Sequence, residues 1–157
     1  RQMCIRDRNW LIVILIPNRR EGLYGPAEED ALMQLRYSDQ TVMNIHTCLM
    51  NEVIPGILER EIELFGEGVE SIQRLVGSEF RAIQGGIYNR ASEEFVELMR
   101  SEGLLGVGQS SWGPAVYGFT ERHEDALRVI SIVRNLSPET KVYLTTADNQ
   151  GAKVMYS

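Results

Sequence analysis

Six apolar residues in unbroken succession, Leu11 to Ile16, follow Trp10 and stop at Pro17. A run this short, β-branched and without polar alternation, predicts a strand covered on both faces. The next stretch, NRREGLYGPAEED, is polar and punctuated by glycine and proline. It predicts a loop, after which Glu28, Glu29 and Asp30 favour a helix start through the macrodipole. Val42, Ile45, Leu49 and Val53 then recur at three- and four-residue spacing behind Ser38 or Asp39 as the cap, and Pro55-Gly56 is expected to stop that helix. A longer stripe follows in Leu58, Ile62, Phe65, Val69, Ile72 and Val76, closed by Gly77, with Gly66 and Gly68 expected to weaken or bend it.

Ser92 stands where it would cap a further helix that turns Phe95, Val96, Leu98 and Met99 inward and ends before Gly103. Residues 115–119 predict a strand. His123 to Leu136 predict a helix with Ala126, Leu127, Ile130 and Val133 inward, stopped by Ser137-Pro138. Lys141 to Thr146 predict another strand, and Asn149-Gln150-Gly151 a turn before a last short one. There is no repeat, low-complexity tract or internal linker. Strands interspersed with helices, several of them in succession, predict an α+β layer: a small antiparallel sheet with helices packed on one face.

Bulk properties narrow the picture. The 157 residues have the length of one ordinary domain, able to bury a core without disulfides or metal. A formal net charge of −6 argues against a nucleic-acid binder, which would show a basic stripe, but leaves room for a phosphate-bearing substrate held by a few local donors. The two cysteines, Cys4 and Cys48, make neither a metal-spaced pair nor a disulfide framework, and a reduced cytoplasmic setting is the expectation. The apolar run WLIVILIP is too short to span a bilayer, so no membrane association is expected. RQMCIRDR has no periodicity and looks like translated sequencing-adapter DNA; residues 1–8 are therefore expected to be foreign to the protein, and residues 9–157 to be its domain.

Little in the chain suggests chemistry on its own. His46 lies one position off an apolar stripe and His123 in an acidic helix start, with no second ligand at metal spacing from either. Cys48 sits mid-helix among apolar neighbours, which predicts an inert core thiol. The glutamates follow the spacing of a solvated helix face, and no catalytic residue can be named. Two glycine-containing stretches remain: IQGGIYNR (Ile83 to Arg90) and GVGQSSWGPAVYGF (Gly106 to Phe119). Backbone N–H groups in such turns can form an anion-binding concavity. Gln84, Gln109, Ser110 and Ser111 would add side-chain donors, and Arg19 or Arg20 charge. Two tight turns with no ligand fit the same residues. Neither stretch is a Walker or dinucleotide fingerprint.

GVGQSSWGPAVYGF resembles, almost residue for residue, the C-terminal glycine loop of the β-ribofuranosylaminobenzene 5′-phosphate synthases. These are a family within the GHMP kinase superfamily, whose third motif is a Gly/Ser-rich loop. The GQSSWGP version, Gly108 to Pro114, is far more specific than a generic glycine loop. IQRLVG (Ile72 to Gly77), QGG (Gln84 to Gly86) and GLYGPAEE after the Trp-led strand support it. The resemblance implies the superfamily's C-terminal, ferredoxin-like α+β domain, with an N-terminal domain carrying its own phosphate loop as its partner.

It further implies a glycosyltransferase joining phosphoribosyl pyrophosphate to a para-substituted benzoate, with loss of carbon dioxide and pyrophosphate, on the way to the methanopterin one-carbon carrier. On it, Gly106, Gly108 and Gly113 let the loop turn, while Gln109, Ser110 and Ser111 donate toward phosphate or brace a partner loop. Trp112 is a wall for the aromatic acid or a core anchor. Gln84, Gly85, Gly86 and Arg19 complete the expected binding set. Mg²⁺ would accompany pyrophosphate, though no ligand for it is visible in the chain, and a homodimer is implied. A small-molecule kinase of the same superfamily using ATP, and a domain non-catalytic in isolation, are the alternatives.

Overall fold

A computed structural model describes residues 10–18, 25–35 and 37–148. The expectations for residues 1–8, for Arg19 and for the turn and strand after residue 148 lie outside them. In chain order come β1 (Leu11–Ile16), α1 (Pro26–Gln34), α2 (Asp39–Cys48), a π-helical turn (Leu49–Val53), α3 (Ile54–Glu59), α4 (Ile62–Gln84), α5 (Arg90–Ser101), β2 (Leu105–Gln109), β3 (Val116–Thr120), α6 (His123–Leu136) and β4 (Lys141–Thr146). The strands form one antiparallel sheet in the order β2-β3-β1-β4, the arrangement of a split β-α-β-β-α-β unit. This is the α+β class that the alternation of elements predicts.

β1 lies between β3 and β4, as its apolar run requires, and its side chains alternate between two faces. Val13 and Leu15 meet Phe95, Val96 and Met99 of α5 and Ala126, Val129, Ile130 and Val133 of α6 in the main core. Ile12 and Ile14 point the other way, opposite Phe119 and Tyr117 of β3. α4 runs along the β2 edge, and at one end Phe65 joins Trp10, Val53, Ile62 and Phe119 in a second cluster. Phe80 near the other end of α4 stacks on Trp112, with Ala31 of α1 beside them.

Several local expectations are corrected. Pro55 does not stop the helix begun at Ser38: the chain widens into the π turn, where the N–H of Ile54 bonds to the carbonyl of Leu49, and Pro55 sits in the first turn of α3, where a missing N–H costs nothing. The break comes at Arg60, left-handed at φ 67°. Val42, Leu49 and Leu58 of the expected stripes are exposed. Gly77 lies inside α4, which continues to Gln84 and ends on Gly85 at φ 86°. Gly66 is a close-approach residue, not a weak point: a Cβ there would stand 2.8 Å from the Leu105 Cβ and 2.9 Å from the Gly106 nitrogen, so its bareness lets α4 lie against β2. The cap of α5 is Asn89, whose side chain accepts from the Ala91 N–H, while Ser92 is buried one turn in. In α6 Leu127 is 54% exposed and Val129 takes the inward place.

Candidate functional site

The two glycine stretches, Ile83–Arg90 and Gly106–Phe119, are separate in sequence and meet at one end of the sheet. β2 runs out at Gln109, and the chain turns through Ser110–Gly113 with the Gly113 N–H donating to the Ser110 carbonyl (2.9 Å) and the Ser110 N–H to the Ala115 carbonyl (2.9 Å). Ser111 is left-handed at φ 48° and Gly113 at φ 73°, and the Gly113–Pro114 bond is cis. Only glycine suits position 113: a Cβ would lie 2.7 Å from Ser92 Oγ and 3.1 Å from Asn89 Cβ. Ser92 Oγ itself donates to the Pro114 carbonyl (3.3 Å).

Beneath this turn lies a network of neutral amides. Gln109, 5% exposed, accepts the Asn89 N–H on Oε1 (2.7 Å) and donates through Nε2 to Gln84 Oε1 (3.1 Å) and the Ser111 carbonyl (2.8 Å). Gln84 spends its own Nε2 on the carbonyls of Gly86 (3.0 Å) and Ile87 (2.8 Å), folding the QGG stretch over its own side chain. Asn89 Nδ2 donates to the Trp112 carbonyl (3.2 Å). The Gln109 N–H reaches Gln73 Oε1 (3.2 Å), and Gln73 Nε2 donates to the Tyr117 hydroxyl (2.9 Å). Burial raises the Tyr117 phenol above the ordinary tyrosine range, and the Gln73 hydrogen bond partly opposes that rise.

In this arrangement Gln84 and Gln109 are occupied as braces between the two stretches. Trp112, 1% exposed, stacks on Phe80 with ring centroids 4.1 Å apart. It is a core anchor facing inward, and its Nε1 has no partner among the described residues. Gly85 ends α4, Gly86 carries a carbonyl that Gln84 binds, and Gly106, at φ 59°, packs on the Phe119 ring. Gly106 and Gly108 do not turn the loop, as expected of them, but lie within β2, a strand the glycine pattern did not predict; Gly108 lies where Gln73 leaves no room for a Cβ.

The donors left facing outward are few. Ser110 and Ser111 are exposed; the Ser111 hydroxyl donates to Glu28 of α1 (3.3 Å). Among the described residues the Ser110 hydroxyl and the Ser111 N–H have no partner; the Trp112 N–H has none either, but Trp112 is buried. An unpaired N–H beside a free hydroxyl can donate to a phosphoryl oxygen. Arg19 lies outside the described residues. No group of three or more His, Cys, Asp or Glu side chains among the described residues is placed to hold a metal, and Glu28 is the one carboxylate the loop's hydroxyls touch.

His46 and His123 are exposed. Cys48 is half-buried, not core, and burial, with Glu52 next in weight, pushes its thiol upward, away from nucleophilic character. Sequence reasoning missed Asn89, Gln73, Glu28 and Tyr117. Asn89 carried the clearest signal, a cap-type residue directly before a helix. Gln73 stands four residues after Val69, so it interrupts an otherwise apolar inward arc.

The family model described as GHMP kinases C terminal matches residues 53–139. A β-ribofuranosylphenol 5′-phosphate synthase of Methanothermobacter thermautotrophicus is 31% identical over 147 residues, covering 91% of this chain and 42% of its own length. The protein of the same name from Methanocaldococcus jannaschii is 22% identical, covering 94% and 44%. The chain thus spans less than half the length of these relatives. A homoserine kinase structure from Cytophaga hutchinsonii superposes with a TM-score of 0.65 at 16% identity, over 88% of this chain and 42% of its own, which is a likeness of fold. No helix among the described residues is long and apolar enough to cross a membrane.

Proposed function

Since the chain belongs to the GHMP kinase family, through that family's C-terminal domain, we propose that it is the C-terminal part of an enzyme that transfers a phosphoribosyl group to an aromatic acid. The observation that carries this reading is the similarity of nearly the whole chain, glycine loop included, to proteins named for a β-ribofuranosylphenol 5′-phosphate product. The substrates are phosphoribosyl pyrophosphate and a para-substituted benzoate, the products a C-ribosyl compound, carbon dioxide and pyrophosphate, and the setting the cytoplasmic route to a methanopterin-type carrier.

The bond changes define what the site must do. The ring carbon bearing the carboxylate attacks C1 of the ribosyl group, and the C1–O bond breaks with its electron pair leaving on pyrophosphate. The ring–carboxylate bond then breaks, its pair restores aromaticity, and carbon dioxide departs. Charge builds on the leaving pyrophosphate while the sugar becomes cationic. Fixed donors aimed at the phosphoryl oxygens lower that barrier because they need no reorganisation. In this chain those donors are the Ser110 hydroxyl and the Ser111 N–H, while the Ser111 hydroxyl donates its one proton to Glu28 and ties the turn to α1. Gln84, Asn89 and Gln109 hold the turn in place and do not touch the substrate. Mg²⁺, which binds pyrophosphate, would be held chiefly by the substrate and by residues beyond those described.

The test uses the polypeptide extended to the full length of its relatives. It should turn over phosphoribosyl pyrophosphate with 4-hydroxybenzoate and release pyrophosphate, whereas the 157-residue chain alone should not. Hydrogen bonds to charged groups contribute about 1.5–3 kcal/mol each. Ser110→Ala should therefore lower kcat/KM for phosphoribosyl pyrophosphate by about 10- to 100-fold, with melting temperature unchanged. Phosphorylation of an alcohol by ATP, with no pyrophosphate released from the ribosyl donor, would replace this reading by a kinase.

A further inference from the structure

The face of the sheet turned away from α5 and α6 holds a depression of about 350 Å³ whose floor includes Ile12, Ile14, Ala115, Tyr117 and Phe119, with Ser110 at its rim. Its position follows from register. Ile12 pairs with Phe119 and Ile14 with Tyr117, so four large side chains of two adjacent strands stand together on one face. The volume is that of a small-ligand site. The lining is almost wholly apolar, because the Tyr117 oxygen is already engaged by Gln73. The Ser110–Gly113 turn begins at the rim residue itself, since Ser110 is the first residue after β2.

The geometry points to this depression as the pocket for the aromatic ring of the acceptor, with the ribosyl phosphate lying toward the loop. The assignment rests on the synthase reading and adds to it where each half of the product sits. A product that joins a phenol to a ribose phosphate needs an apolar surface and an anion site within one bond's reach, and this end of the molecule supplies both. The two halves do not exchange places. A phosphate on the sheet face would give up hydration with only the Ser110 hydroxyl in return, which disfavours it there. A benzene ring laid over the Ser110–Ser111 turn would cover those polar groups, since the ring face accepts from them only weakly. On the sheet face, the Tyr117 and Phe119 rings, already edge-on to each other at 5.8 Å and 73°, present apolar surface to a third ring.

The experiment is a pair of titrations of the isotope-labelled chain followed by amide chemical shifts, one with 4-hydroxybenzoate and one with ribose 5-phosphate. The aromatic acid should move the signals of Ile12, Ile14, Ala115, Tyr117 and Phe119, and ribose 5-phosphate those of Ser110 to Gly113. Ile14→Trp, which fills the depression, should weaken the aromatic acid at least tenfold and leave ribose 5-phosphate within twofold. Ala115→Phe closes the same space from the rim and serves as the second variant should the first lose its native spectrum. Shifts from the aromatic acid that map elsewhere, no saturable shift at all, or equal binding by both filled variants would each overturn the assignment. In the full-length enzyme the same variants should raise KM for the aromatic acid and not for phosphoribosyl pyrophosphate. Turnover in those variants with both KM values unchanged refutes the pocket alone. Absence of synthase turnover in the unsubstituted enzyme refutes the underlying function, whatever the titrations show.

Discussion

The two ends of the sheet are held by different physics. Where β2 ends, Gln84, Asn89 and Gln109 are neutral, Gln109 is buried, and their hydrogen bonds fix a short turn from below. Where β3 ends, Arg122 and Arg128 reach Glu102, Glu124 and Asp125 across a depression of about 530 Å³ that Glu63 and Glu121 also line. Neutral amides in a dry setting have directional bonds and a high cost when one is lost. Exposed ion pairs have little directionality, and water and salt screen them. The amide end is therefore the more firmly specified of the two, and the exposed Ser110 and Ser111 are found there.

Substitutions at the amide end should prove costly in a graded order. The largest effect belongs to Trp112→Ala, which removes the ring stacked on Phe80 and should cost about 3–5 kcal/mol in chemical denaturation. A wall for the substrate would instead show a raised KM with stability intact, which would reassign Trp112 from anchor to ligand contact. Gly113→Ala comes next. A side chain in the left-handed region costs about 1–2 kcal/mol, and overlap with Ser92 Oγ adds about 1–3 kcal/mol. Gly113→Ala combined with Ser92→Gly should recover part of the loss by removing the overlap while leaving the backbone term. No recovery in melting temperature would mean that the conformation at 113, and not the crowding, sets the cost.

The sequence made the elements legible because periodicity is a local property. β1, α6 and β4 lie where their apolar patterns put them. The errors were contextual. Pro55 reads as a stop, yet it is acceptable in a first helical turn, and only the π turn before it makes that position available. Gly77 reads as a helix end because glycine is common there, but in α4 the bare backbone faces Ile87, and Gly85 ends the helix eight residues later. Ser92 and Asn89 are both cap-type residues, and the choice between them depends on Pro114 and Ala91, which the pattern does not contain. For the candidate site, glycine content and hydroxyls marked the loop. The division of labour within it was not legible: Gln109 braces because Gln84 and Asn89 stand beside it, residues 25 and 20 positions away.

Gln109→Ala tests that division directly. It leaves the Asn89 N–H, the Ser111 carbonyl and Gln84 Oε1 without their partner, and an unmet buried polar group costs about 1–3 kcal/mol. The expected signature is a clear fall in melting temperature together with faster amide exchange at Asn89. Ser110→Ala, one residue away and exposed, should leave both unchanged. Equal stability losses in the two variants would erase the distinction between brace and donor.

The smallest effect should come from the ionic end. Arg128 pairs with Asp125 and with Glu102 (Nε to Oε2, 2.8 Å), and the hydrogen bonds it donates to Asp125, then Glu102, raise its pKa above the ordinary arginine value. An arginine is charged at any pH where the fold survives, so this shift gives no titration to follow in the working range. Salt is the usable variable. Arg128→Gln should lower the melting temperature slightly at low ionic strength and leave it indistinguishable from the unsubstituted chain in molar salt, where the Debye length falls to about 3 Å. The acids in this cluster complicate the sign, since removing Arg128 leaves Asp125, mostly buried, facing Glu102 with only Arg122 to offset it. Asp125→Asn in the Arg128→Gln background should therefore restore part of the loss. A salt-independent loss as large as that of Gln109→Ala would show that the charged end is as firmly specified as the amide end, and the contrast between them would fail.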